Sequence, residues 1–463
     1  MSEQKTFTLP KQERLCSRTL IEQLFLGHSQ HKKEWPVRVV YQVVKRKDED
    51  DAQAEVLMSV SKRYFKRAVK RNLVKRQLRE SYRLHKAILT DVLALHPDTK
   101  ILIAFIWLSG QTYDSVKVEK AIKAALEKGK HVVTANKDLM AMHGHELLEL
   151  AGEHHCDLLF EAAVAGGIPI IRPLKQCLAG NNITEIMGII NGTTNFILTK
   201  MKEDGMDFGE ALQLATDLGY AEADPTADIE GYDAGRKLAI MASIAFHTSV
   251  TFDDVFTEGI TKITAKDMRY AKEMGCSIKL LGIAKNTETG IEVKVHPTMI
   301  PENHPLAAVN DSFNAVFVHG DAVDDAMFYG RGAGALPTGS AVVGDIMDVA
   351  RNMLFHCNGR IGCSCYKNLP IKQIGDTTSR YYIRMRLEDR AGTLAAMAGV
   401  FAENDASIAI LLQKETIEND AEIVVVTHEV AEKKFMDAIK KFSSMEMVKE
   451  ISSIIRVYAL GNV

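Results

Sequence analysis

Apolar residues run or alternate over 37–45 (VRVVYQVVK), 54–61 (AEVLMSVS) and 100–108 (KILIAFIWL), which predicts three strands. A first helix is expected over Ser17–Leu26. Residues 61–86 contain no Gly or Pro, and Val69, Leu73, Val74, Leu78 and Tyr82 give them one apolar side, so this segment reads as a helix. Together these elements make a small α/β sandwich of about 110 residues. Further on, Val118, Ile122, Ala125 and Leu126 form the apolar face of a helix over 116–128. GKHVVTANKDLMA (129–141) reads as a short buried strand, a loop and a helix start. FEAAVAGGIPIIRPL (160–174) reads as an apolar strand broken by Gly166, Gly167 and Pro169. IMGIINGTTNFILTKM (186–201) reads as a strand followed by a helix, and 381–458 carries β-α-β periodicity twice. The whole is a multidomain chain of α/β and α+β type. No apolar run approaches the 18 to 20 residues of a membrane span.

Charge divides this layout. The chain has a net charge of −3, but residues 1–110 hold 22 Lys+Arg against 12 Asp+Glu, while the rest hold 35 against 48. A basic block followed by an acidic one implies two sets of partners, a polyanion for the first. The opening MSEQKTFTLPKQERL has no apolar signal core, so a cytoplasmic location is expected. The seven cysteines lack framework spacing, which fits a reducing compartment. His356, Cys357, Cys363 and Cys365 cluster in sequence, but C-x-C beside a His-Cys dipeptide is a poor match to paired metal ligands. They are read as structural.

The basic charge peaks in 61–86, with eleven Lys/Arg and one acid, Glu80. Arg67, Arg71, Lys75, Arg79 and Arg83 recur every four residues, making a stripe on one helix side. Like charges at this spacing destabilise an isolated helix by a few tenths of a kcal/mol per pair. A bound polyanion reverses that cost and releases counterions. Ala68-Val69-Lys70-Arg71-Asn72-Leu73-Val74-Lys75-Arg76-Gln77-Leu78-Arg79-Glu80 resembles the A-V-x-R-N-x-x-K-R-x-x-R-E signature of the bacterial RNase P protein subunit. Phe7-Thr8-Leu9-Pro10-Lys11, Arg14-Leu15 and Phe25 resemble that family's start. The resemblance implies a non-catalytic protein that binds a catalytic RNA through Arg67, Arg71, Asn72, Lys75, Arg76, Arg79 and Arg83. It also implies a cleft for the precursor tRNA 5′ leader, with Tyr41 either a stacking platform or a core residue. Magnesium would then sit with the RNA and not with the protein.

In the acidic block, a Lys placed just after a strand, Lys137, stands at the ligand end of an open α/β sheet. Asn191-Gly192-Thr193-Thr194 can cap a helix or offer N–H groups to a ligand. In GYAEADPTADIEGYDAGRKLAIMA (219–242), Glu222, Asp224, Asp228, Glu230 and Asp233 crowd one loop. Asp233 is expected to be the N-cap of the next helix, with Lys237 one turn inside. Carboxylates favour the lysine's charge and the helix N-terminus opposes it, a setting that suits proton transfer. An acidic surface loop capping a helix would have the same composition.

The T-A-N-K, E-A-x-V-x-x-G-I-P, N-G-T-T-N, G-Y-A-E-A-D-P-T and G-R-G-A-G-x-L-P-T segments together resemble homoserine dehydrogenase, from about residue 117 to the end. That family interconverts L-homoserine and L-aspartate 4-semialdehyde with NAD(P), in threonine and methionine biosynthesis. The resemblance implies Lys237 as proton donor and Glu222, Asp228, Asp233, Gly192 and Thr193 at the substrate. It implies Lys137, Gly332 and Gly334 at the cofactor, and a sodium site at Glu161, Val164, Gly166 and Ile168. It also implies a homodimer. Residues 381–458, with Asp389-Arg390-Ala391-Gly392-Thr393-Leu394, resemble an ACT domain of ferredoxin-like fold, implying an effector, threonine, near Gly392.

The expected divisions are 1–115 (RNA-binding), 116–158 (a remnant of a Rossmann-type nucleotide domain), 159–329 (α+β catalytic and dimerisation domain), 330–356 (return to the nucleotide domain) and 378–463 (ACT). No G-x-G-x-x-G occurs in the sequence. The RNA-binding block stands where the pyrophosphate-binding half of the family would lie. Three arrangements satisfy this sequence: both activities in one chain, an RNA-binding protein with an inactive dehydrogenase remnant, or an artefactual chimera without a single function. The unpaired strand edges of a truncated nucleotide domain predict weak or no turnover.

Overall fold

The computed structural model describes residues 13–15, 17–26, 30–34, 37–46, 51–60, 82, 98–107, 115–222, 224–417 and 419–458. Two compact units divide the chain, Met1–Asp114 and Ser115–Val463.

In the first unit, α1 (Arg18–Leu26) accompanies β1 (Gln30–Glu34), β2 (Val37–Lys45), β3 (Ala54–Val60) and β4 (Thr99–Trp107). The sheet order is β1-β2-β4-β3. β2 is antiparallel to β1 and β4, whereas β3 and β4 are parallel. A parallel pair needs a crossover. The connecting residues 61–97, Tyr82 apart, lie outside the described residues, and so do Arg67, Arg71, Asn72, Lys75, Arg76, Arg79 and Arg83. Leu24, Val40, Leu102 and Ala104 bury one sheet face against α1. On the other face Val56, Met58, Ile103 and Tyr82 cluster, with Tyr41 packed against them, so Tyr41 is at least partly a core residue.

The second unit opens with α2 (Ser115–Leu126), β5 (Val132–Val133), α3 (Lys137–Glu153) and β6 (Leu158–Leu159). β5 and β6 form a parallel sheet of two strands among the described residues. Next come β7 (Ile183–Ile189), α4 (Gly192–Glu203), α5 (Phe208–Asp217), α6 (Thr226–Ile229), α7 (Tyr232–Phe246), β8 (Phe256–Thr257) and α8 (Ala265–Glu273). They are followed by β9 (Cys276–Thr287), β10 (Gly290–Pro301), β11 (Phe313–Gly320), β12 (Asp324–Arg331) and α9 (Ala335–Leu354). The chain ends with β13 (Thr378–Glu388), α10 (Thr393–Glu403), β14 (Ile408–Ile417), β15 (Asp420–Thr427), β16 (Val430–Ala431), α11 (Glu432–Ser443) and β17 (Val448–Val457).

One sheet runs β12-β11-β7-β9-β10-β17-β13-β15-β14. Its last four strands have the antiparallel order and two helices of a ferredoxin-like βαββαβ unit, joined to the rest by a parallel contact of β10 with β17. The apolar helix α7 buries Leu238, Met241 and Phe246 against this sheet, with Ile278, Leu280 and Val295 in the same core. That packing fixes where its first turn points.

Two readings of the sequence need correction. Residues 160–174 are not a strand. Glu161–Ala163 is a single helical turn, Ala165 and Gly166 have φ of 54 and 53°, and a second helical turn covers Pro173–Cys177. An apolar run without a period does not distinguish buried loop from buried strand. Asp233 is not an N-cap either: Gly231, at φ 82°, occupies that position, and Asp233 is the second residue of α7.

Candidate active site

Three helix starts converge on one cleft of about 500 Å³. The first is that of α3. The Thr134 hydroxyl accepts from Asn136 N–H at 3.1 Å, and Asn136 Oδ1 accepts from Leu139 N–H at 3.1 Å, capping the helix. Lys137 therefore begins α3 directly after β5. Arg236 Nε lies 2.7 Å from Asp138 Oδ1 and ties this helix start to α7.

The second start is that of α4. Asn191 Oδ1 accepts from Thr194 N–H at 2.9 Å, while its Nδ2 donates to Asp228 Oδ1 at 2.7 Å and Asp233 Oδ2 at 2.9 Å. The asparagine thus caps a helix and spaces two carboxylates at once. A Cβ on Gly192 would meet the Ser312 carbonyl oxygen at 2.8 Å, so close packing demands glycine there. Thr193 Oγ1 donates to the Tyr220 carbonyl at 2.9 Å.

The third start, α7, brings Asp233 between two ammoniums. Lys237 Nζ is 2.6 Å from Asp233 Oδ2 and donates to the Ile190 carbonyl at 2.7 Å; Lys137 Nζ is 2.9 Å from Asp233 Oδ1. Burial alone would raise the Asp233 carboxyl, but Lys237 and Lys137 outweigh it and hold it well below the usual carboxylate range. Burial likewise opposes the Lys137 charge, and Asp233 overcomes it, so that ammonium is shifted upward. Asp228 is raised by burial and by the Asp233 charge, against the hydrogen bond from Asn191. Glu222 lines the cleft. The remaining acids of the loop turn elsewhere: Asp224 accepts from Thr226 N–H at 3.2 Å, and Glu230 pairs with Thr261.

The opposite wall is the loop from β12 into α9. Gly332 and Gly334 line the cleft, Gly334 with φ 123°. A Cβ on Gly332 would stand 2.1 Å from Asn314 Cγ, and one on Gly166 would stand 2.5 Å from the Gly332 carbonyl oxygen. The Gly166 and Gly332 loops are therefore in backbone contact. Asn314 itself escaped the sequence reading. It is 1% exposed, lines the cleft, and neither polar atom of its amide has a hydrogen-bond partner among the described residues. The available signal was an asparagine inside the apolar strand FNAVFVHG.

Glu161, Val164, Gly166 and Ile168 stand on the adjoining loop. The Glu161 carboxylate is consumed by Ile170, Ile171 and Arg172 N–H groups at 2.6, 2.9 and 2.9 Å. A cation here would have to be held by main-chain carbonyls. Gly392 caps α10 with φ 92° and is far along the sheet in the ferredoxin-like unit. No helix among the described residues is long and apolar enough to cross a membrane.

Comparison with known proteins matches several parts of the chain. The family model "Homoserine dehydrogenase" matches residues 169–347, "Homoserine dehydrogenase, NAD binding domain" 114–161, and "ACT domain" 381–444. "Ribonuclease P" matches 9–130, overlapping the nucleotide-domain match across α2. The chain is 50% identical to the homoserine dehydrogenase of Corynebacterium glutamicum over 343 residues, covering 73% of this chain and 77% of that one. It is 44% identical to the Bacillus subtilis enzyme over 369 residues, with 79% and 83% covered. Among solved structures, a homoserine dehydrogenase from Thiobacillus denitrificans is similar with TM-score 0.71 at 43% identity, covering 74% of this chain and 80% of that one. The S. aureus enzyme is similar with TM-score 0.58 at 35% identity, covering 74% and 78%.

Proposed function

The chain belongs to the homoserine dehydrogenase family, and from that premise we propose that the cleft binds L-homoserine or L-aspartate 4-semialdehyde, with Lys237 moving the proton at the reacting oxygen. The observation that carries this reading is the Asp233 carboxylate shared by Lys237 and Lys137 at 2.6 and 2.9 Å. In the reductive direction Lys237 gives a proton to the carbonyl oxygen, and Asp233 with the Ile190 carbonyl aims its ammonium. Glu222 and Asp228 hold the substrate ammonium, and Gly192 and Thr193 present the α4 start to its polar end. A nicotinamide dinucleotide supplies the hydride in this class of reaction. Lys137, Gly332 and Gly334 fit its nicotinamide end.

The pyrophosphate end is not matched. The sequence has no G-x-G-x-x-G, and the parallel sheet has two strands of two residues among the described residues. Weak or absent turnover follows, with substrate binding retained. The test is NADPH oxidation by the purified chain with aspartate semialdehyde, alongside homoserine titration by calorimetry. Measurable homoserine binding with turnover at least about a thousandfold below ordinary kcat values of 1–10³ s⁻¹ is expected. Ordinary turnover would overturn the deficit; absence of homoserine binding would overturn the site.

The match over 9–130 supports a second role for the first unit, binding the catalytic RNA and precursor tRNA of ribonuclease P. Added chain should raise precursor cleavage by the catalytic RNA at low magnesium. A homodimer through the dehydrogenase unit belongs to the same reading. Threonine sensing near Gly392 and a carbonyl-bound sodium near Gly166 complete the reading, with a reducing cytoplasm as its location.

A further inference from the structure

We propose that His145, Cys363 and Cys365 form a binding site for a zinc-class divalent cation, separate from the substrate cleft. His145 Nδ1 lies 3.1 Å from Cys363 Sγ, although 218 residues separate them. One nitrogen and the two sulfurs lie within 4.8 Å of one another. Two thiolates and an imidazole nitrogen are the donor set that selects zinc over the oxygen-seeking magnesium and calcium. Two thiolate charges neutralise a divalent ion.

The surroundings carry the second observation. The other imidazole nitrogen, His145 Nε2, lies 3.5 Å from Glu149 Oε1, one helical turn along α3. A carboxylate on the far nitrogen is the usual device that fixes a liganding histidine's tautomer and orientation. All three ligands also line a pocket of about 150 Å³, beside Met140, Lys175 and Ser243. That pocket leaves room for a fourth ligand, a water molecule, at an open tetrahedral position.

The sequence could not reveal this set. His356 and Cys357, the near neighbours of the C-x-C pair, are not part of it; Cys357 Sγ instead faces Asn352 Oδ1 at 3.5 Å. The site joins α3, whose first residue is Lys137, to the strand-free segment after α9. A bound ion would tie that helix to this segment.

Cobalt(II) titrated anaerobically into the reduced, metal-stripped full-length chain tests the proposal. One equivalent should bind with intense thiolate-to-cobalt charge-transfer absorption, displaced by zinc. Cys363→Ser with Cys365→Ser should abolish the band, and Glu149→Gln should weaken zinc binding about tenfold. Because the double variant could misfold, the unaltered chain supplies a second measurement. Zinc should protect Cys363 and Cys365 from alkylation while the exposed Cys177 reacts as before. Absence of a sulfur charge-transfer band, its persistence in the double variant, or alkylation unaffected by zinc would each overturn the site.

Discussion

Asp233 is the residue on which the cleft depends. It is 7% exposed and is the anion between two ammoniums. Asp233→Ala leaves those cations facing each other and should destabilise the dehydrogenase unit by about 3 kcal/mol, read from urea unfolding. The pH dependence has a definite sign. The folded carboxyl is depressed, so its stabilisation is complete above the unfolded value of about 3.9 and disappears as pH falls through the folded value. The variant should therefore approach the parent chain in stability only in strong acid. Asn314 predicts the opposite combination. Its buried amide has no partner among the described residues, and a buried polar group without one is costly. Asn314→Leu should leave thermal stability equal or higher while weakening homoserine binding at least about tenfold, the value of one hydrogen bond in a desolvated site. Lower stability with unchanged binding would mark Asn314 as structural.

At the scale of elements, β9 contains a group that helps the fold only in one protonation state. Lys279 is buried, with acceptors at the Val309 carbonyl (2.6 Å), Asn310 Oδ1 (3.0 Å) and Asn195 Oδ1 (3.2 Å). Burial, with the nearby Lys202 charge, pushes its ammonium down to about 7. Between that value and about 10.4 the unfolded chain holds a proton that the folded chain lacks, so stability rises with pH. Relative to Lys279→Met, the parent chain should gain on the order of 3 kcal/mol from pH 7 to pH 9.5, measured by denaturant unfolding. Several elements were legible in the sequence. β2 follows its alternating apolar run from Val37 to Lys45, and α2 follows the face of Ile122 and Leu126. β1, with the all-polar QHKKE, has no apolar period and was invisible. Glycine at φ 82° before α7 replaced the expected aspartate cap, because a left-handed start leaves no signal except the glycine itself. The local motifs announced Lys237, Asp233 and Asn191. Asn314 and His145 acquire meaning only through neighbours far away in sequence.

Over the whole molecule, the charge split and the two compact units coincide closely, since the basic excess ends near residue 110 and the first unit at Asp114. The acidic unit shows what the sequence lacks. It has no glycine-rich phosphate loop, its parallel sheet has two short strands among the described residues, and α9 exposes its apolar side while burying Asp345 and Asn352. A helix facing solvent in that sense fits a surface built for a partner that the rest of this unit does not provide. The basic excess lies in the other unit. The two units should therefore fail separately. Replacing Arg71 and Lys75 by Ala removes two positions of the basic stripe. RNA affinity should fall, and the slope of log K against log salt should flatten by about two, close to one for each phosphate no longer neutralised. Homoserine binding by the same double variant should be unchanged, because that cleft is lined entirely by residues from Ala135 onward. An unchanged salt slope would remove the basic stripe from the RNA interface. A parallel loss of homoserine binding would show that the two units are energetically coupled, against their separation in sequence, charge and core.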